Sequence, residues 1–166
     1  MASPTQTGLT FRTFQSGDEE AFQTLNQAWI EEYFTLEQKD RETLGDPRKH
    51  ILAKGGHILM AERGGQQIGC CALIKRPDSS YEVAKMTVAE SERGKGLGRR
   101  LLEYVVEFAR SNSIPALYLE TNTKFAGAIR IYEAVGFRHL PAEKIAKSPY
   151  ARANVYMEMI LNNSTH

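Results

Sequence analysis

The sequence predicts a single domain of the α/β (α+β) class, in which helices flank a mixed, mostly antiparallel sheet. Three observations support this prediction. The chain of 166 residues has the size of one domain and contains no repeat or low-complexity segment. Strand-like and helix-like apolar patterns alternate in the order β-α-α-β-β-β-α-β-α-β-β. Antiparallel strands come first, and a strand–helix–strand crossover follows in the middle of the chain.

The first third of the chain combines one strand with two helical segments. Residues 9–14 are predicted to form a strand, and the polar run at 16–19 to begin a helix with a hydroxyl cap from Ser16. Apolar side chains then recur at steps of three and four residues, which predicts one buried helical stripe. They are Phe22, Leu25, Trp29 and Tyr33. A less regular helical segment follows at about 36–53, with a break near Gly45 and Pro47.

The rest of the chain supplies most of the sheet. Strands at 57–62 and 67–74 are joined through Gly64 and Gly65, which is typical of a hairpin. The remaining predicted elements are a strand at 81–88, a helix ending near 112, a strand at 116–121, a helix at 125–135, and strands at 137–140 and 151–161. The predicted domain therefore spans residues 9–162, and residues 1–8 are expected to be a disordered N-terminal segment.

Composition excludes several classes of function. The chain carries 21 basic and 20 acidic residues without a basic tail or stripe, so we expect no binding of nucleic acid. No apolar run approaches the roughly 20 residues that span a bilayer, and the N-terminus lacks the apolar segment of a signal peptide. We therefore expect a cytoplasmic protein that does not contact a membrane.

Cysteines and histidines do not indicate a disulfide or a metal site. Cys70 and Cys71 are adjacent in a predicted strand, so their side chains should point to opposite faces as buried thiols. The four histidines have no metal-ligand spacing with cysteines or carboxylates. We expect no metal in this protein.

The most informative segment is a glycine-rich loop between the strand at 81–88 and the helix that follows it. The loop consists of Arg93, Gly94, Lys95, Gly96, Leu97, Gly98 and Arg99. Alternate glycines leave backbone N–H groups uncovered, and a helix N-terminus carries partial positive charge. With three cations added, this pattern predicts a site for a phosphate or pyrophosphate. The alternative is a glycine-rich turn with solvated cations.

Two common nucleotide loops do not fit this spacing. A Walker A loop requires Ser or Thr after its Gly-Lys pair, whereas Gly96 follows Lys95. A dinucleotide loop requires Gly or Ala at the position of Arg99. The remaining pattern, Arg-x-x-Gly-x-Gly after a strand, resembles the acyl-coenzyme A loop of the GNAT family of N-acetyltransferases.

Similarity to that family extends over nearly the whole chain. Residues 83–88 resemble the strand that holds the pantetheine arm, and residues 129–137 resemble the late helix that ends in Tyr-x-x-x-Gly-Phe. The resemblance implies a GNAT-like fold, acetyl-CoA as the acyl donor and no metal. It also implies that the donor lies across a splay between the strands at 81–88 and 116–121.

The resemblance further implies which residues bind the donor. Backbone groups of Met86 and Val88 would pair with pantetheine, with Thr87 between them in the same site. The amides of the loop at 93–99 would hold the pyrophosphate. Phe125 departs from the family, in which asparagine is frequent at this position, and Asn122 is the predicted substitute.

Two residues are predicted to transfer protons. Tyr132 matches the family's general acid, which protonates the departing thiolate; packing of this ring in the core is the alternative. Glu82 matches a position where some members have a catalytic glutamate, which can take the proton of the amine. The alternative for Glu82 is an ion pair with Lys85 or Arg76. A water chain or Glu120 could then serve as the base.

The acceptor side is less defined by the sequence. In the family it lies near the first two helices and the loop before the last strand. Trp29, Tyr33 and Phe34 are candidates for a pocket wall, and Arg152 for a contact with an acceptor carboxylate. A helical core stripe and a structural ion pair are the respective alternatives. Three acidic residues could attract a cation or form a solvated helix face, namely Glu31, Glu32 and Glu37.

Together these features predict an N-acetyltransferase that moves an acetyl group from acetyl-CoA to a primary amine of a small molecule or peptide. The amine would attack directly in a ternary complex, since no constellation for an acyl-enzyme is present. A non-catalytic domain that binds or senses acyl-CoA is the alternative from another class, and a nucleotide-binding module is a third hypothesis. Because dimers are common in the family, a homodimer is a further expectation.

Overall fold

A seven-stranded sheet with helices on both faces forms the protein in the computed structural model, which describes residues 8–145 and 150–161. The strands are β1 (Leu9–Thr13), β2 (His57–Arg63), β3 (Gln66–Lys75), β4 (Tyr81–Val88), β5 (Ala116–Thr121), β6 (Arg138–His139) and β7 (Val155–Ile160). The α-helices in these residues are α1 (Glu19–Tyr33), α2 (Gln38–Gly45), α3 (Pro47–His50), α4 (Leu97–Ser111) and α5 (Ala126–Val135). The predicted fold class and order of elements are confirmed, with the second helical segment divided into α2 and α3.

The sheet has the strand order β1-β2-β3-β4-β5-β7-β6. Only β4 and β5 are parallel neighbours within the described sheet, and α4 makes the crossover between them. The tight connection from β2 to β3 depends on Gly64 and Gly65, whose φ angles of 58° and 85° are left-handed. Glycine adopts this conformation without steric cost, as the predicted hairpin requires.

Two apolar clusters cover the two faces of the sheet. On one face α1, α2 and the segment after α3 bury Phe22, Ile30 and Leu44 against the sheet. On the other face α4 buries Leu101 and Val105 completely. The adjacent thiols lie on opposite faces, as predicted, because Cys70 belongs to the first cluster and Cys71 to the second. Burial raises the pKa of the Cys70 thiol to about 12.

The start of α1 differs from the prediction. Asp18 occupies the N-cap, and the Ser16 hydroxyl accepts a hydrogen bond from Arg48 instead of capping the helix (3.0 Å). The carboxylate of Asp18 is drawn away from the helix by the Arg12 guanidinium (2.7 Å). An ion pair with β1 therefore replaces the cap, and the predicted hydroxyl cap is wrong.

The buried stripe of α1 is also rotated relative to the prediction. Its buried residues are Phe22, Asn26 and Ile30, whereas Tyr33 is 36% exposed. The Asn26 amide is satisfied by the Phe22 carbonyl (2.9 Å) and faces Cys70. A polar residue can thus occupy the core face because its hydrogen bonds are made inside the protein.

The end of the chain contains less strand than predicted. The last strand begins at Val155, and residues 150–154 form turns and irregular backbone. Gly8 is a turn residue, and the other residues of the predicted N-terminal segment at 1–8 lie outside the described part of the chain, as does residue 162. None of the described helices is long and apolar enough to cross a membrane.

Candidate active site

A cleft opens where β4 and β5 separate. Their ladder contains two pairs, Tyr81–Leu117 and Glu82–Tyr118, after which the strands diverge. A bulge in β4 accompanies this change: Lys85 has a left-handed φ of 53°, and the register with β3 shifts at this point. The cleft has a volume of about 510 Å³ and lies at the predicted splay.

Most of the predicted site residues line this cleft. They are Glu82, Met86, Thr87, Val88, Arg93, Gly98, Asn122 and Tyr132. The second candidate base, Glu120, lines it as well. The other loop residues lie beside the cleft, and the side chain of Leu97 is part of the apolar core.

The glycine loop has the backbone conformation that an anion site requires. Gly94 and Gly96 have left-handed φ angles of 78° and 81°, and Gly96 is the N-cap of α4. Gly98 lies in the first turn of the helix, where an added Cβ would meet no protein atom within 4 Å. The loop therefore presents backbone N–H groups and open space together.

Two of the three loop cations have exposed acidic partners. Arg93 donates to Glu32 of α1 (3.1 Å), and Arg99 donates to Glu103 one helical turn away (3.4 Å). Because these pairs are solvent-exposed, they are weak and can exchange for a stronger anion such as a pyrophosphate.

The polar groups along β4 fit an extended ligand such as pantetheine. The hydroxyl of Thr87 is buried and has no hydrogen-bond partner among the described residues. Beyond Glu82, the edge of β4 that faces β5 is no longer part of a strand ladder. Buried polar groups of this kind are normally satisfied, so a polar ligand in the cleft would complete them.

Tyr132 lies on α5, lines the cleft and packs its ring against the core. The ring meets Phe137 edge-on, with centroids 6.0 Å apart. Burial raises the pKa of Tyr132 to about 12, so the hydroxyl keeps its proton at neutral pH. In the described part of the chain no group is hydrogen-bonded to that hydroxyl, which leaves it able to donate to a ligand.

Glu82 carries the most perturbed carboxylate of the cleft. Burial and the neighbouring charge of Glu120 raise its pKa to about 7. The two alternative partners are engaged elsewhere, since Lys85 donates to Asp40 (2.8 Å) and Arg76 stacks 3.8 Å from the ring centre of Tyr118. Glu82 therefore makes no ion pair within residues 8–145 and 150–161 and can gain or lose a proton near neutral pH.

A buried ion network close to Glu82 was not predicted. Asp40 is fully buried and accepts hydrogen bonds from Lys85 (2.8 Å) and from both terminal nitrogens of Arg152 (2.9 and 2.8 Å). Although burial alone would raise the pKa of Asp40, these hydrogen bonds hold it below its usual range. Tyr150 accepts a further bond from Lys85 (3.0 Å). The Asp40 carboxylate thus connects α2, the bulge of β4 and the segment before β7.

This network settles the two interpretations of Arg152. Its guanidinium is bound to Asp40 and Glu37, so it forms a structural ion pair and is not an uncommitted site for an acceptor carboxylate. The partners of Asp40 are 45 and 112 residues away in sequence. The only local signal was the spacing of Glu37 and Asp40, which form a capping box at the start of α2.

Four aromatic rings form a bridge between α1 and the start of α5. This aromatic bridge consists of Trp29, Tyr33, Phe34 and Phe125. Phe125 contacts Trp29, Tyr33 and Phe34 with centroid distances of 5.1, 5.2 and 5.8 Å. The departure of Phe125 from the family pattern therefore has a structural role.

Asn122 is used within the protein. Its amide nitrogen donates to the Arg152 carbonyl (2.7 Å), and its oxygen accepts from the Lys124 backbone (2.8 Å). Both polar ends thus hold loops at the cleft wall. Its predicted contact with the donor would require one of these bonds to be exchanged.

Comparison with known proteins agrees with this geometry. A sequence model of the Acetyltransferase (GNAT) family matches residues 19–137. Mycothiol acetyltransferase of Thermomonospora curvata is 30% identical over 151 residues, which are 86% of this chain and 48% of that protein. This chain spans about half the length of the curated relatives it matches.

Solved structures share the fold. An acetyltransferase of the GNAT family from Staphylococcus aureus has a TM-score of 0.81 at 20% identity, covering 92% of this chain and 99% of that one. A protein from Salmonella typhimurium, solved with its cofactor acetyl-CoA, has a TM-score of 0.69 at 21% identity, covering 93% and 95%.

Proposed function

The chain belongs to the acetyltransferase (GNAT) family, and on that premise we propose that it moves an acetyl group from acetyl-CoA to a primary amine within one ternary complex. The proposal rests on the side chains that line the cleft. A buried carboxylate with a pKa of about 7 and a protonated tyrosine line the same cavity as the glycine loop. These are the base, the acid and the anion site that such a transfer requires.

The donor would be held by backbone more than by side chains. The edge of β4 at Met86, Thr87 and Val88 would pair with pantetheine, and the loop amides at 93–99 would bind the pyrophosphate. When bound, acetyl-CoA supplies the acetyl group as a thioester. Cys70 and Cys71 are both buried with raised thiol pKa values, which supports direct transfer over an acyl-cysteine.

Glu82 and Tyr132 have opposite roles in proton transfer. Glu82 takes a proton from the ammonium and so produces the neutral amine, the form that can attack. Glu82 releases this first proton to solvent and is a base again when the amine attacks. As the nitrogen–carbon bond forms and the carbon–sulfur bond breaks, Glu82 takes the second proton of the nitrogen, and Tyr132 donates its proton to the sulfur. The second proton then leaves Glu82 to solvent. Tyr132 is then reprotonated, so each turnover releases one proton overall.

Replacing the Gly98 hydrogen by a methyl group tests the donor site. Gly98→Ala is expected to raise the dissociation constant of acetyl-CoA about tenfold, because the methyl enters open space at the cleft without touching protein. Isothermal titration calorimetry measures the constant. Thermal unfolding should be unchanged or slightly improved, since alanine favours a helix.

The matched control is Gly45→Ala, where the added Cβ is also free of contacts but lies in α2. It should leave acetyl-CoA binding unchanged. Equal binding by both variants would show that the first turn of α4 does not hold the donor.

Removing the Tyr132 hydroxyl tests the acid. Tyr132→Phe is expected to lower kcat about tenfold, less than the usual hundredfold or more of general-acid catalysis, because a thiolate with a pKa near that of cysteine leaves without full protonation. Release of free CoA over a panel of amines measures the rate, and acetyl-CoA binding should stay the same.

Unchanged turnover in Tyr132→Phe would remove the hydroxyl from the mechanism and leave the ring a packing role against Phe137. Tight acetyl-CoA binding by the unaltered chain without CoA release for any amine would favour a domain that only binds acyl-CoA. Stabilisation by ATP or NAD in place of acetyl-CoA would favour a nucleotide-binding module.

A further inference from the structure

The acceptor end of the cleft has an apolar wall. Trp29, Phe34 and Phe125 of the aromatic bridge line the cavity, and the bridge faces the segment that contains Arg152. Aromatic walls of this kind bind the apolar body of a ligand and contribute through ring contacts.

Two carboxylates on one face of the sheet line the same cleft as this wall. Glu82 is paired with Tyr118 across the β4–β5 ladder, and Glu120 follows Tyr118 by two residues on the same side of β5. Tyr118 donates to Glu120 (2.9 Å), which fixes that carboxylate in place. An ammonium group entering the cleft therefore meets two acidic side chains.

The cationic side chains that line the cleft are already in ion pairs with acidic residues of the protein. Lys85 and Arg152 line the cleft, but both are bound to the buried Asp40 carboxylate. Arg93, the remaining cation among the described lining residues, belongs to the donor loop and pairs with Glu32. A ligand carboxylate would thus face Glu82 and Glu120 without a counter-charge of its own.

We propose that the acceptor is a primary amine with an apolar body and no carboxylate, bound with its ammonium toward Glu82 and Glu120 and its body against Trp29, Phe34 and Phe125. This inference rests on the proposed acetyltransferase function. The two carboxylates attract the charged nitrogen, the rings hold the body, and the missing counter-charge excludes amino acids.

A matched pair of amines tests the proposal with the full chain. Phenethylamine and L-phenylalanine differ by one carboxylate, and CoA release should give phenethylamine a kcat/KM at least about tenfold higher. Ethylamine tests the apolar body and should be about tenfold poorer than phenethylamine. Spermidine and a peptide with a free N-terminus complete the panel.

The outcomes distinguish a wrong acceptor class from a wrong acetyltransferase function. Equal or better turnover of L-phenylalanine, or of the peptide, would overturn the acceptor class while leaving acetyl transfer in place. A preference for spermidine would show that the carboxylates act without the apolar wall and would also overturn it. CoA release with none of these amines would instead contradict the proposed function itself.

A variant of the wall adds a second test. Phe34→Leu should lower kcat/KM for phenethylamine about fivefold relative to ethylamine, the factor that one aromatic contact contributes. Phe108→Leu is the matched control, because this ring packs against His57 from α4 on the opposite face of the sheet (5.0 Å). An unchanged ratio in Phe34→Leu, with normal acetyl-CoA binding, would remove the wall from acceptor recognition.

Discussion

Glu82→Gln is expected to lower kcat by at least about a hundredfold at pH 8, since general-base catalysis contributes factors of this size or more. Glutamine keeps the shape and volume of the side chain but cannot take a proton from the ammonium. Binding of acetyl-CoA should be unchanged. Steady-state CoA release and calorimetric titration measure the two quantities.

The pH dependence of the unaltered enzyme should report the same group. Because burial and Glu120 raise the pKa of Glu82 to about 7, activity should rise as the pH increases through that value. The Gln variant should lack this acidic limb. Retention of kcat within a few-fold by the variant would assign the base to Glu120 or to a water chain.

The same substitution should stabilise the fold at alkaline pH. A carboxylate whose folded pKa lies above its unfolded value favours folding at low pH, and this contribution is lost as the pH rises toward 7. Glu82→Gln should therefore raise Tm by about 3 °C at pH 8 and by less at pH 5. Glu107→Gln on the exposed side of α4 is the control and should change neither Tm nor kcat.

Asp40→Ala is expected to lower the free energy of unfolding by about 3–5 kcal/mol, the cost of leaving buried charges without their partner. Lys85 and Arg152 are nearly enclosed, with side chains 5% and 17% exposed, and both lose their buried carboxylate in this variant. Urea denaturation measures the loss. Asp40→Asn keeps the capping geometry of α2 without the charge. Its free energy of unfolding should lie between those of the unaltered chain and of Asp40→Ala.

The exposed ion pair of Arg99 and Glu103 supplies the control. Both side chains are about half exposed, so Glu103→Ala should leave the urea midpoint unchanged. An equally small effect of Asp40→Ala would mean that water enters the network and replaces the carboxylate.

In Asp40→Asn the KM for the amine should rise more than the KM for acetyl-CoA, because the network holds the acceptor end of the cleft.

Local patterns account for the parts of the fold that were predicted correctly. Strand and helix periods, the Gly64–Gly65 hairpin and the glycine loop are set by residues within a few positions of one another. The spacing of the loop resembles the acyl-CoA loop of the family and differs from two nucleotide motifs.

The remaining features depend on partners that are distant in sequence. The Ser16 hydroxyl accepts a hydrogen bond from Arg48, 32 residues away, and the Asp18 carboxylate accepts one from Gln67, 49 residues away. The Asp40 carboxylate is bound by Arg152, 112 residues away. Single-sequence periodicity carries no information about such contacts, so the ion network around Asp40 was not predicted.

The short ladder between β4 and β5 divides the sheet into two halves, and each half comes from one continuous stretch of the sequence. Strands β1 to β4 come from residues 9–88 and strands β5 to β7 from residues 116–160, so each half of the sheet is contiguous in sequence. Two rungs join the halves directly, and α4 links them along the chain. A ligand in the cleft would contact both β4 and β5 and so connect the two halves of the sheet. Ligand binding should therefore make the two halves unfold together and slow amide hydrogen exchange in β4 and in β5.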